Sequence, residues 1–112
     1  MNLRLFIIAM CLGMALPATA DIVTIGEAYE VALSDLRLPR SESGTIAFKE
    51  CDTCAFKTKR VGADTRWLIN GKAVPLRKFR EATEKVADPA KEAVSVLHHL
   101  KKDRVTQVSV YL

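Results

Sequence analysis

Cys51 and Cys54 are the residues whose type and spacing point to chemistry. A Cys-x-x-Cys turn can close a disulfide, hold a poised thiolate or supply half of a metal site. The preferred reading is a structural disulfide that pins a turn in an oxidising compartment. Its loop is short, so chain entropy alone gives about 2 kcal/mol, a useful increment for a small core.

The two rival readings need partners that the chain supplies poorly. A thioredoxin-like oxidoreductase places its first cysteine at a helix N-terminus, where the dipole stabilises the thiolate, with a proline across from it. Here Ala55 to Val61 reads as a strand, no aromatic residue precedes Cys51, and Val74-Pro75 comes only about twenty residues after Cys54. A zinc site through Cys51 and Cys54 would have to recruit His98 or His99. Neighbouring strand residues face opposite ways, so at most one histidine joins the thiolates, one ligand short of a closed structural site, and a site shared between two copies of the chain is the best version of the metal reading. Covalent haem is excluded because Ala55, not histidine, stands directly after the second cysteine. The chain has no glycine-rich phosphate loop, no HExxH pair and no GxSxG elbow. No cofactor is expected, and a non-enzymatic role is preferred.

The compartment is read from the first twenty residues. Arg4 gives a positive start, Leu5 to Leu16 an apolar run, and Ala18-Thr19-Ala20 a small-x-small cleavage site. A spanning helix needs about 20 apolar residues, and this run ends sooner, at Pro17. Residues 1–20 are therefore expected to be a cleaved signal peptide, and residues 21–112 a periplasmic or secreted product. Lipidation at Cys11 is not expected, because Met10 stands where a small residue is needed. Removing 20 of 112 residues leaves 92, enough for one domain with a thin core.

Charge is polarised along that domain. Residues 21–56 hold 3 basic and 7 acidic side chains, whereas residues 57–112 hold 13 and 6. Lys57, Lys59 and Arg60, with Arg66 and Lys72, are expected to form a basic stripe across adjacent strands, suited to an acidic protein or a phosphate-rich envelope component. Export and the lack of interleaved aromatic residues argue against nucleic acid. No later segment is long and apolar enough to be a transmembrane span.

The elements that must position these residues are mostly strands, because β-branched and aromatic residues alternate between turn residues. Strands are expected over Tyr29–Leu38, Thr45–Lys49 and Ala55–Val61. Arg66–Ile69 and Lys72–Val74 flank Asn70-Gly71, a pair suited to the positive φ angles of a type I′ hairpin turn. Leu76, Phe79, Thr83 and Val86 share one helical face, and this helix is expected to open at Pro75 and stop at Asp88-Pro89. Its early cations Arg77, Lys78 and Arg80 oppose the dipole, to be offset by the pairs Arg77–Glu81, Arg80–Glu84 and Glu81–Lys85. Ala93–His98 and Val105–Leu112 close the chain as a hairpin, with a helix over Ala90–Leu100 as the alternative. The fold class is α+β: a small antiparallel sheet of hairpins with one packed amphipathic helix.

The order Leu38-Pro39, Gly44-Thr45-Ile46, Cys51-x-x-Cys54, Thr65-Arg66-Trp67, Asn70-Gly71-Lys72 and Val74 resembles a loose class of small exported Gram-negative proteins with one CxxC. The resemblance implies export and the α+β fold type, and the class carries no assigned activity.

Overall fold

The computed structural model describes residues 25–112. The expected signal peptide, its cleavage site after Ala20 and Cys11 lie outside the described residues. The described residues form eight strands and one α-helix, in chain order β1 (Gly26–Ala32), β2 (Leu36–Arg37), β3 (Thr45–Phe48), β4 (Lys57–Arg60), β5 (Arg66–Ile69), β6 (Lys72–Val74), α1 (Leu76–Glu84), β7 (Ala93–His99) and β8 (Arg104–Val110). They make a five-stranded sheet in the order β1-β7-β8-β5-β6 and a three-stranded sheet in the order β2-β3-β4. Strands predominate and α1 packs on them, so the α+β class holds.

The larger sheet is mixed, which corrects the expectation of a wholly antiparallel one. β5 runs parallel to β8, pairing Trp67 with Val108 and Ile69 with Val110. β6, the α1 crossover and β7 lie between those two strands in the chain, and a connection of that length lets β8 return in the direction of β5. Every other pairing among the described residues is antiparallel.

The single strand expected over Tyr29–Leu38 is two strands in different sheets. A 3-10 turn at Leu33–Asp35 breaks it, and the Leu33 N–H donates to Glu92 O at 2.8 Å. Val31 before the bend and Leu33 within it are both buried. The bend keeps apolar residues inward as the chain leaves one sheet for the other, a result that alternation along one straight strand does not describe. The alternative helix over Ala90–Leu100 gives way to β7, whose Val94, Val96 and His98 face inward between exposed Ala93, Ser95 and Leu97. That period-two burial is what β-branched residues on a pleated surface favour.

Asn70 and Gly71 carry φ angles of 51° and 84° and join β5 to β6. Pro75, expected in the first turn of the helix, is instead its N-cap and supplies no side-chain cap. The helix is shorter than expected, with Lys85 as its C-cap, so Val86 packs from beyond its end. None of the three expected i,i+4 pairs closes within 4 Å among the described residues. With an uncapped start and cations at the positive end of its dipole, α1 depends on Leu76, Phe79 and Thr83, its buried residues. Phe79 meets Trp67 of β5 at a ring-centroid distance of 5.3 Å.

The core lies where α1 and the three-stranded sheet cover one face of the larger sheet. Ile46 and Phe48 of β3, Phe79 of α1, and Val94, Val96, Val105, Val108 and Val110 of β7 and β8 are each fully enclosed. No helix among the described residues is long and apolar enough to cross a membrane.

Candidate functional site

β3 ends at Phe48 because the chain must turn back into β4, and the cysteines sit in that turn. The Cys54 N–H donates to Cys51 O at 3.1 Å, and the two side chains are disulfide-bonded with Cα atoms 5.0 Å apart. Cys51 Sγ lies 3.6 Å from Thr53 Oγ1, and residues 51–56 are all exposed. The next element after Cys54 is the strand β4, so no helix dipole is aimed at either sulfur.

Packing around the turn is charged and aromatic. Tyr29 of β1 stacks on Phe48 at 5.0 Å, and Lys57 Nζ stands 5.1 Å above the Tyr29 ring. Lys57 also pairs with Glu50 at 3.1 Å, and Lys49 with Asp35 at 3.7 Å. Phe56, 41% exposed, is covered by Arg37 at 4.2 Å and approached by Lys49 at 5.6 Å. Cation–π contacts at such exposed sites contribute about 0.5–1 kcal/mol each.

The basic residues do not form the expected stripe. Lys57, Lys59 and Arg60 lie on β4 in the smaller sheet, whereas Arg66 and Lys72 lie on β5 and β6 in the larger one. Within β4 the pleat divides them again, with Lys57 and Lys59 on one side and Arg60 on the other. The register places Arg37 beside Ala47 and Thr58, and Thr45 beside Arg60, on the face opposite buried Ile46 and Phe48. Sequence reasoning misses Arg37, Lys49, Phe56 and Tyr29 as site residues. Their one signal is strand parity, which needs the register of β2, β3 and β4 to be read.

No family model, curated protein or solved structure matches this chain. Its function therefore rests on the chemistry of the site.

The zinc alternative does not assemble within a single copy of the chain. Cys51, Cys54, His98 and His99 do not assemble, and among the described residues no group of three or more His, Cys, Asp or Glu could hold a metal ion. Instead His98 is buried under the β7–β8 turn, with Nε2 at 3.0 Å from Asp103 Oδ1 and Nδ1 buried without a partner. His99 accepts the Lys102 N–H through Nδ1 at 3.2 Å.

One proton at this end of the molecule is shifted. The Tyr29 hydroxyl donates to Glu27 Oε2, and this bond, aided by burial, pushes the tyrosine up to about 12 from 10.0. The same bond, with Lys59 assisting and burial opposing, lowers the Glu27 carboxyl. The folded state therefore holds the tyrosine proton more tightly than the unfolded chain. The resulting stabilisation is complete below pH 10 and is lost as pH rises towards 12. Tyr29→Phe is expected to remove that alkaline slope. Urea midpoints for both proteins from about pH 9 to 12 check it, and equal slopes would show that the hydroxyl contributes nothing.

Proposed function

We propose that the chain is exported, loses residues 1–20, and works in the periplasm or outside the cell as a non-enzymatic binding domain, with Cys51–Cys54 as a clasp. The observation that carries this reading is the position of the bridge in a strand-to-strand turn, with a strand and not a helix following Cys54. An acidic protein or a phosphate-rich envelope component is the partner class. Arg37, Arg60, Arg66 and Lys72 support it, because none has a carboxylate within 4 Å among the described residues.

One observation favours a rival thiol–disulfide oxidoreductase: both cysteines are exposed, so an external thiol can reach them. Intact mass with and without reductant establishes the redox state of the exported protein, and an insulin-reduction assay measures turnover. The expected result is an oxidised pair with no turnover. Replacing both cysteines by alanine should lower stability by about 2 kcal/mol, read as a shift in the urea midpoint at constant m. Insulin reduction that disappears in this folded double variant would replace the binding reading with the enzymatic one.

A further inference from the structure

We infer that β4 is a docking edge that takes an extended acidic peptide as an added strand. The inference rests on the binding reading above and names its partner. β4 ends the order β2-β3-β4 and has a strand on one side only. Two hydrogen bonds determine which of its backbone groups are unused. The Val61 N–H donates to Gly44 O at 3.0 Å, and the Lys49 N–H donates to Asp35 O at 3.2 Å. Hydrogen-bonded and non-bonded pairs alternate along an antiparallel ladder. Counting from Gly44–Val61 therefore turns Lys59 and Lys57 towards Ile46 and Phe48 of β3, and counting from Asp35–Lys49 turns Ala47 towards Arg37 of β2. Both counts agree that the N–H and C=O of Thr58 and Arg60 point away from β3, to the side with no hydrogen-bonded strand.

Side chains specify what pairs there. Three of the four β4 residues are cations, and Lys59 and Arg60 have no carboxylate within 4 Å among the described residues. Lysine on an edge strand discourages pairing with a second copy, since like charges would meet across the new ladder. The same charges favour a strand whose acidic residues fall opposite Arg60 on one face and Lys59 on the other. Backbone bonds then supply the affinity and charge supplies the selection. The disulfide turn lies between β3 and β4, with Ala55 and Phe56 separating Cys54 from the edge strand.

The test titrates the oxidised protein with a blocked hexapeptide, Thr-Glu-Glu-Glu-Glu-Thr, whose consecutive glutamates present carboxylates on both faces of an extended strand, alongside a version with Lys for Glu and one N-methylated at alternate residues. Thr58→Pro removes the outward N–H and leaves the β3 ladder intact, and Arg60→Glu reverses the charge. We expect the Glu peptide alone to bind and to slow amide exchange at Thr58 and Arg60. Each variant, folded by circular dichroism, should bind at least tenfold more weakly. Equal binding by Thr58→Pro, or by the N-methylated peptide, would overturn strand addition, as would binding of phosphatidylglycerol vesicles with none of the peptide. An inert disulfide with no peptide binding sinks this inference alone, whereas insulin turnover sinks the reading beneath it.

Discussion

Phe79→Ala is expected to cost about 3–5 kcal/mol and to release α1 from the sheet. Phe79 is fully enclosed, and its ring meets Trp67 at 5.3 Å. Leu76 and Thr83 are the helix's other buried residues, both smaller, and its ends add little. The N-cap has no side-chain hydrogen bond, no acidic residue lies in the first turn, and an isolated helix of 9 residues is too short to persist in water. The truncation also leaves a cavity against Trp67, because β5 is held between β8 and β6 in the sheet and cannot collapse into it. The measurement is urea unfolding monitored by far-ultraviolet circular dichroism, with amide exchange over residues 76–84. A loss under about 1 kcal/mol, with those amides still protected, would show that local propensity holds the helix.

Phe48→Ala is expected to cost a similar amount, about 3–5 kcal/mol, by a different route. Phe48 is the last residue of β3 and is fully enclosed, and through Tyr29 at 5.0 Å it joins the small sheet to β1 of the large one. Its removal should therefore damage the site as well as the core. Tyr29 loses the ring that orients it, its bond to Glu27 weakens, and its proton falls from about 12 back towards 10.0. Ultraviolet titration of the tyrosinates separates this outcome from simple destabilisation. A stability loss with the Tyr29 titration unchanged would mean that the sheets are joined elsewhere.

These two aromatic residues show why the fold is partly legible in the sequence. Phe79 lies in a local pattern with Leu76 and Thr83, and spacing within one helix exposes it. Trp67 is also in the core, at 4% exposed, although its neighbour Leu68 is buried too and breaks the alternation along β5. Phe48 alternates with Ile46, but its meeting with Tyr29 joins residues 19 apart in the chain and on different sheets. The site divides along the same line. The cysteine turn and the β4 cations are contiguous in sequence, whereas Arg37 over Phe56 and Lys57 over Tyr29 exist only through cross-strand pairing.

From its residues alone, this protein's strand-rich character, its Asn-Gly hairpin turn, its short amphipathic helix and the turn at Cys51–Cys54 could be stated, because each depends on the chemistry of neighbours a few positions apart. Only the tertiary structure decided that Tyr29 and Leu36 belong to different sheets, that β5 and β8 run parallel, and that His98 turns inward to Asp103. It also decided that the β4 cations border an unpaired edge and are separated from Arg66 and Lys72. Those choices are made by burial of side chains far apart in the chain, and period-two alternation fits either sheet equally well until a partner strand is fixed.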